Sequence, residues 1–338
     1  MTNTNLRVGI IGCGGIAQAH LSGYVKIPHL QIAAVYDVNK KAARKMAVDT
    51  GAEVAGSIED MAVSGQLDAV SVCTPPATHL DVCRPFIKAG IAILCEKPLE
   101  ASYRNARKLA AAVDAAGTIF MTAYCHRFHP AIIELKRLID DGTLGRPVFF
   151  RNIFGGYYPL KGNHRAKPEL SGGGSIIDNC SHSVDLYRYL AGEPTAVQAF
   201  SGNILQKAAV EDIGMLHLSS GAGVFGEITS SYSLKVCGNW LEWYGTQGTA
   251  IVSYWNANQP DLAYRRARDA GWTEVDCSAH PDRFQAEAAH FIQCVRNGTR
   301  PAITVHDGLI SSRVIEAAYT SAAKGKRIDI HPQGASSR

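Results

Sequence analysis

The sequence predicts an α/β protein in which a doubly wound parallel sheet at the N-terminus is followed by an α+β domain built on a large, mostly antiparallel sheet. Three observations predict it. The chain has 338 residues, more than one hydrophobic core usually serves. From Leu6 to about Tyr124, short β-branched runs alternate with longer amphipathic stretches, the pattern of repeated βαβ units. After Tyr124 strand follows strand until about Val275, joined by short Gly, Ser or Asn turns. The expected division is a first domain over 1–124 and a second over 125–338.

In the first domain the strands read as Arg7 to Ile11, Gln31 to Tyr36, Ala69 to Cys73, Ala92 to Cys95 and Ile119 to Ala123. Helical spacing runs over Ala42 to Thr50 and Tyr103 to Ala116, the second closed by Gly117. The second domain opens with a helix over Pro130 to Asp141, closed by Gly142. Strands then read over Pro147 to Phe154, Ala196 to Gly202, Gly214 to Ser219, Gly223 to Tyr232, Trp240 to Gly245 and Thr249 to Tyr254. Two helices, Arg283 to Asn297 and His306 to Lys324, and a strand at Arg327 to Ile330 complete the chain. No internal repeat or low-complexity tract interrupts it.

Composition excludes several function classes. With 46% hydrophobic and 19% charged residues the chain has material for real cores and too little charge density for disorder. The net charge of +4 is spread along the sequence, and no Lys/Arg block alternates with aromatics as a nucleic-acid groove requires. Met1 to Arg7 are polar and run straight into a strand pattern, without a signal core or a bilayer-length apolar stretch. The nine cysteines are scattered singly, never as CxxC, and many sit in apolar contexts. A soluble cytoplasmic protein of a reducing compartment is expected, with neither nucleic acid nor membrane as partner.

The first chemical signal follows the first strand. Gly12, Gly14 and Ala17 match the fingerprint G-x-G-x-x-G/A. Gly12 makes the tight turn, Gly14 lets the backbone approach a pyrophosphate, and small Ala17 lets the helix pack on the strand. A diphosphate then sits on the helix N-terminus. Asp37 lies twenty residues beyond Ala17 at the end of the second strand, where a carboxylate accepts hydrogen bonds from the adenosine ribose. It repels a 2′-phosphate, which favours NAD over NADP, although Lys40, Lys41 and Arg44 nearby soften that preference. The plain alternative is a tight strand-to-helix turn with Asp37 as a strand-end cap.

Two further segments carry chemistry. Ile91 to Pro98 places Glu96 and Lys97 at the carboxyl end of a buried strand, where open α/β sheets bind ligands. Lys97 is placed to reach a nicotinamide ribose or a substrate hydroxyl; as a plain structural feature it is a solvated strand end paired with Glu96. The glycine run Gly172 to Gly174 opens a helix carrying Asp178, His182 and Asp185 at spacings of four and three, which puts them on one face. His182 can take a hydroxyl proton while hydride leaves the same carbon, with a carboxylate orienting the ring. The rival readings are surface polarity near a helix N-terminus and a metal site. Three ligands on one short helical face do not enclose a cation, so no metal is expected.

Gly12-x-Gly14-Gly15-Ile16-Ala17, the Thr74-Pro75-Pro76 turn with His79, Glu96-Lys97-Pro98 and the Gly172-Gly173-Gly174 to Asp178-x-x-x-His182-x-x-Asp185 block together resemble the glucose-fructose oxidoreductase, inositol dehydrogenase and rhizopine-catabolism (Gfo/Idh/MocA) family. Phe284-x-x-Glu287 through Pro301, and Glu316 to Tyr319, are similar to its closing helices. The resemblance implies a Rossmann domain followed by an open-sheet domain whose exposed face forms a homodimer or homotetramer. It implies cofactor contacts at Gly12, Gly14, Gly15, Ile16, Ala17, Asp37, Thr74, Pro75, His79, Glu96 and Lys97. It also implies a catalytic trio of Lys97, Asp178 and His182: the histidine as acid/base, the lysine as hydrogen-bonding or proton-relay partner, the aspartate as orienter, with a Lys97–Pro98 bond that is often cis. Arg127 and Arg165 resemble family positions lining the substrate pocket, beside His126 and His164. Tyr157 and Tyr158, after Gly155-Gly156, stand where a ring can stack on a pyranose, the plain alternative being exposed strand-end tyrosines. With Asp178 and His182 these make the expected substrate contacts.

The resulting expectation is an NAD(H)-dependent oxidoreductase acting on a ring hydroxyl of a sugar or cyclic polyol. Two other readings of the same fold are an NAD-retaining glycosidase working by transient oxidation, whose known relatives are usually longer at the N-terminus, and a non-catalytic sugar or cofactor sensor, which has no need of Lys97 and His182 together.

Overall fold

The computed structural model describes residues 5–254 and 260–331. The first four residues of the polar opening, and the ends of the expected second domain beyond 331, lie outside the described residues. In chain order the first elements are β1 (Leu6–Ile11), α1 (Gly15–Tyr24), β2 (Leu30–Tyr36), α2 (Lys40–Thr50), β3 (Glu53–Val54), α3 (Ile58–Val63), β4 (Ala69–Val72), α4 (His79–Ala89), β5 (Ala92–Glu96), α5 (Tyr103–Ala116) and β6 (Phe120–Ala123). There follow α6 (Pro130–Asp140), β7 (Pro147–Gly155), α7 (Pro168–Ser171), α8 (Ser181–Ala191), β8 (Pro194–Gly202), β9 (Ile213–Ser220), β10 (Phe225–Ser231), β11 (Asn239–Gly245), β12 (Gly248–Tyr254), β13 (Leu262–Arg266) and β14 (Thr273–Val275). The last are α9 (Arg283–Asn297), α10 (Val305–Lys324) and β15 (Ile328–Asp329).

These elements form two compact units. One takes the chain through Phe128 together with Asp282–Leu309; the other takes His129–Pro281 and the chain from Ile310 on. The segment Asp282–Leu309, which the division at 124 assigns to the later domain, is therefore part of the first unit, and the division falls within α10 after Leu309. The reason is apolar burial: Ala288, Phe291 and Ile292 of α9 join Val8, Ile10, Ala17 and Tyr24 in one core.

In the first unit six parallel strands run in the order β3-β2-β1-β4-β5-β6. Every residue of β4, β5 and β6 is buried, as strands covered on both faces must be, which explains their continuous apolar runs. Ser102 caps the start of α5 and Gly117 closes it. The order reverses direction between β1 and β4, so the carboxyl ends of these strands carry Gly12 and Cys73, the site where such sheets hold ligands.

In the second unit nine strands run in the order β14-β13-β12-β11-β7-β10-β9-β8-β15, an open sheet. Among the described residues the β7–β10 pair is parallel and the other pairs are antiparallel. One face is core, with Phe150, Leu216, Ile228, Leu241 and Trp243 packed against Val184, Leu186 and Tyr187 of α8. Phe200 and Phe225 point away from that core and are 56% and 64% exposed. On the same outer face Arg151 donates to Glu227 at 3.3 Å.

Candidate functional site

In the first unit the chemistry begins at the end of β1. Gly12 has φ +85°, its N–H donates to Tyr36 O at 2.8 Å, and a Cβ there would overlap the Cys73 carbonyl, so only glycine fits. Gly14, Gly15 and Ile16 are exposed, and nothing lies within 4 Å of where a Cβ on either glycine would stand. The first turn of α1 holds no acidic residue, and Ala17 is fully buried against the sheet. Bare, exposed helix N-terminal backbone without a competing carboxylate fits a dinucleotide diphosphate.

Asp37 is fixed at the end of β2. Its Oδ2 accepts from Cys13 N and its Oδ1 from Asn39 N, both at 2.7 Å, so it ties the glycine loop to the start of α2. Burial, with Asp37 and Cys73 close by, pushes the Cys13 thiol up to about 12, which keeps it protonated beside that carboxylate. Lys40 lies over the Tyr36 ring at 4.8 Å. Thr74 accepts a 2.8 Å hydrogen bond from Thr78 Oγ1. His79 is fully buried, with Nδ1 3.2 Å from Leu99 O and Nε2 2.9 Å from Thr74 O. It shapes the Thr74-Pro75 turn from within rather than presenting a group to a ligand.

At the end of β5, Glu96 is also turned inward. Its Oε1 meets His20 Nε2 at 2.8 Å and its Oε2 accepts from Lys97 N at 3.1 Å. Lys97 itself is half-buried, and the Lys97–Pro98 peptide is cis. Arg127, in the 3₁₀ turn Cys125–Phe128, donates to Asp307 Oδ1 at 3.0 Å, while Asp307 Oδ2 accepts from Thr304 N and Oγ1. Asp307 is thus the carboxylate that holds this expected substrate arginine.

In the second unit the glycine run does not open an ordinary α-helix. Ile176–Cys180 is a single π turn, and α8 starts only at Ser181. Glu211 anchors its start: the carboxylate accepts from Gly174 N at 3.0 Å and Ile176 N at 2.9 Å, and from Tyr319 Oη at 2.8 Å. Asp178, inside the π turn, keeps 19% of its side chain exposed, and its Oδ2 accepts from Arg165 Nε at 2.9 Å and Tyr232 Oη at 2.6 Å. Burial and the Asp178 charge hold the Tyr232 phenol far above its ordinary range, so it stays a donor. His164, next to this pair, is pushed below the usual histidine value by burial and by Arg165, which favours the neutral ring.

His182 is buried in the first turn of α8, its ring T-shaped against Phe154 with centroids 5.8 Å apart. Asp185, expected on the same face as a third site group, is instead sealed in the interior 3.8 Å from Arg188. The π turn precedes His182 and alters only its spacing from Asp178; Asp185 follows His182 in the regular turns of α8, where the helix is enclosed on nearly every side. Tyr157 is exposed, bridges to Ser233, and has Lys235 Nζ 5.7 Å from its ring centroid. Tyr232, Glu211 and His20 had no sequence signal: Tyr232 meets Asp178 across 54 residues, Glu211 meets Gly174 across 37, and His20 meets Glu96 across 76. Tyr319 belongs to a recognisable segment, but its role appears only in the contact with Glu211.

The comparisons with known proteins agree with this geometry. Residues 6–124 match the family described as "Oxidoreductase family, NAD-binding Rossmann fold", and residues 132–251 match the "GFO/IDH/MocA C-terminal domain". The chain belongs to the Gfo/Idh/MocA oxidoreductase family. Among its relatives are a D-apiose dehydrogenase of Paraburkholderia graminis, 27% identical over 95% of this chain and 88% of that protein, and a scyllo-inositol 2-dehydrogenase (NAD(+)) of Bacillus subtilis, 26% identical over 96% of each. A levoglucosan dehydrogenase solved in complex with NADH superposes with a TM-score of 0.90 at 23% identity, covering 97% of this chain and all of that one, and so shares the fold. The Gfo/Idh/MocA chain is accordingly an NAD-binding oxidoreductase of a sugar and polyol dehydrogenase family, with a Rossmann sheet followed by an open, mostly antiparallel sheet. Neither the glycosidase nor the sensor reading finds support among these relatives. No helix among the described residues is long and apolar enough to cross a membrane.

Proposed function

We propose that the protein oxidises a ring hydroxyl of a sugar or cyclic polyol reversibly, with NAD as the hydride acceptor. The observation that carries this reading is the buried His182 one turn beyond Asp178, an anion already held by a guanidinium and a phenol. A histidine removed from bulk water, in a unit that also fixes a carboxylate, suits proton transfer from an alcohol, worth roughly 10² to 10⁴ in rate. His182 takes the hydroxyl proton, Asp178 orients the reacting groups, and Lys97 donates a hydrogen bond to the substrate oxygen. Arg165, His164, Arg127 and Tyr157 contribute to substrate recognition. The family setting and the curated sugar and inositol dehydrogenases support the substrate class.

Gly12, Gly14, Gly15, Ile16 and Ala17 would hold the cofactor diphosphate, with Asp37 toward the ribose and Thr74, Pro75 and Lys97 lining the far end. When bound, the nicotinamide supplies the hydride acceptor. NAD is favoured over NADP because the Asp37 carboxylate is held in place by two backbone N–H groups, where it repels a 2′-phosphate, and Lys40 is engaged with Tyr36. The outer sheet face with Phe200, Met215 and Phe225 suits a homo-oligomer contact, and nine cysteines without a disulfide suit a cytoplasmic location.

The test is initial-rate absorbance at the reduced-nicotinamide band over inositols, aldoses, 1,5-anhydro sugars, glycosides and uronates, with NAD⁺ and NADP⁺ in parallel. Turnover with NAD⁺ that disappears in Lys97→Ala and His182→Ala enzymes is expected. Cofactor binding without net reduction on any substrate sinks the dehydrogenase reading.

A further inference from the structure

Behind the end of β5 the first unit holds a group of polar side chains that the proposed reaction does not use. His20 and Tyr24 project from α1, Ser71 from β4, Glu96 from β5 and Glu287 from α9; all five are buried. Tyr24 Oη lies 2.7 Å from Ser71 Oγ, Ser71 Oγ lies 3.2 Å from His20 Nδ1, and His20 Nε2 lies 2.8 Å from Glu96 Oε1. The second carboxylate oxygen of Glu96 accepts the backbone N–H of Lys97 at 3.1 Å.

We infer that His20 is a positioning residue for Lys97, holding the Glu96 carboxylate so that its other oxygen fixes the Lys97 amide and the turn that presents the lysine. The inference deepens the proposed function and rests on Lys97 serving that reaction.

The geometry carries it in three steps. Each Glu96 oxygen has its own partner, so any rotation of the carboxylate that releases His20 also disturbs the hydrogen bond to Lys97 N. His20 cannot drift independently, because Ser71 holds the other ring nitrogen and Tyr24 holds Ser71. Tyr24, at the inner end of these contacts, has no exposed surface, so the ring is enclosed on that side.

Electrostatics favours the same arrangement. Burial disfavours a charge on His20, but Cys73 and the Glu96 carboxylate more than offset it and hold the imidazole well above its ordinary value. Glu287 faces His20 and Glu96 with Arg283 nearby, and one of its oxygens, Oε1, is buried without a hydrogen-bond partner. Burying a charged pair is costly, and a well-packed apolar pair serves stability as well. The hydrogen bond that Glu96 accepts from the Lys97 N–H gives the pair a role that stability does not.

The experiment compares His20→Gln with His20→Asn in the full chain. The Gln amide reaches the Nε2 position and keeps the bond to Glu96; the Asn amide reaches only the Nδ1 position and keeps Ser71. Both are polar, and neither carries the imidazole. Competitive acetylation with acetic anhydride from pH 6 to 10, read by peptide mass spectrometry, gives the labelling rate of Lys97 relative to every other lysine. His20→Asn is expected to change the relative Lys97 rate by about threefold or more, while His20→Gln stays close to the parent. Equal Lys97 rates in both variants overturn the inference. Should His20→Asn not fold, Glu96→Gln carries the same test, with a changed Lys97 rate expected and an unchanged one overturning it. Labelling needs no substrate, so a Lys97→Ala enzyme that still turns over removes the catalytic reading of Lys97 and leaves this result standing.

Discussion

The two glycine runs of this chain look alike as sequence and differ as structure. Around Gly14 and Gly15 the backbone is open to solvent, and no atom of the described residues lies within 4 Å of a Cβ placed on either glycine. Around Gly173 and Gly174 it is sealed: a Cβ on the first would overlap Tyr319 Oη, and one on the second the Glu211 carbonyl oxygen. The charges are arranged the other way round. Behind the open run, His20 and Glu96 are sunk into the interior; beside the sealed run, Asp178 and Arg165 keep 19% and 37% of their side chains exposed. Glycine makes room for a ligand in the first case and for the protein itself in the second. The first unit thus spends its buried charge on fixing a backbone, and the second presents a charge to solvent from a fixed backbone.

The sharpest way to break this contrast is Gly174→Ala. The new methyl would be driven into a backbone carbonyl that cannot rotate away, because the Glu211 carboxylate is itself bound to Gly174 N, Ile176 N and Tyr319. A loss on the order of 3 kcal/mol is expected from such overpacking against main chain. Urea unfolding of the second unit's transition measures it. A loss below about 1 kcal/mol, within the range of ordinary surface substitutions and mild packing changes, means that the glycines there are not packing devices.

The buried Glu287 of the first unit gives an effect of comparable size, spread over pH. Burial pushes the Glu287 carboxyl up to about 8, helped by Glu96 and opposed by His20 and Arg283. A folded-state value above the unfolded one means that the folded protein holds the proton more tightly. The contribution to stability is therefore whole below about 4.5 and is lost as pH rises toward 8. Glu287→Gln mimics the protonated form at every pH. Its stability should match the parent's near pH 5 and then gain on it by roughly 1 kcal/mol per pH unit up to about 8, levelling above that. His20 slopes in the same direction in both proteins and largely cancels in the difference. Denaturant midpoints at pH 5, 7 and 9 decide the matter; parallel curves show that Glu287 is not in a desolvated setting.

What could be read from the sequence followed the range of the interactions. Strands β1, β2 and β4 to β6 were legible within a residue or two, because a strand buried on both faces must be a continuous apolar run. Helix α5 was legible to the residue, because Ser102 and Gly117 punctuate it. Helix α4 had no readable bounds, since it starts inside a proline-rich turn and contains Pro85. Strands β13 and β14 are short and largely polar and gave no alternation to detect. That α9 packs with the first unit is decided by which core accepts Ala288, Phe291 and Ile292, which chain order does not encode. The site divided in the same way. Gly12, Asp37, Glu96 and Lys97 lie in local motifs, whereas Tyr232 meets Asp178 across 54 residues and Glu211 meets Gly174 across 37. His79 and Asp185 show the converse error: polar residues inside a motif turned out to be interior structure.

The smallest effect on stability, and the one that completes the contrast, belongs to Gly14→Ala. Gly14 has φ −80° and ψ −164°, an extended conformation open to alanine, and no atom lies within 4 Å of the added Cβ. Stability should change by less than about 0.5 kcal/mol, as at an ordinary surface position. Yet this methyl projects at the start of α1, where the fingerprint requires backbone to approach a diphosphate closely. NADH affinity is therefore expected to fall about tenfold, close to 1.4 kcal/mol of binding energy. Fluorescence titration of NADH together with thermal unfolding of the same sample separates the two quantities. Intact stability with weakened NADH binding means that the open glycine run is kept open for the ligand. A destabilised protein means that it serves packing after all, and unchanged affinity means that the diphosphate does not approach Gly14; either result erases the difference between the two runs.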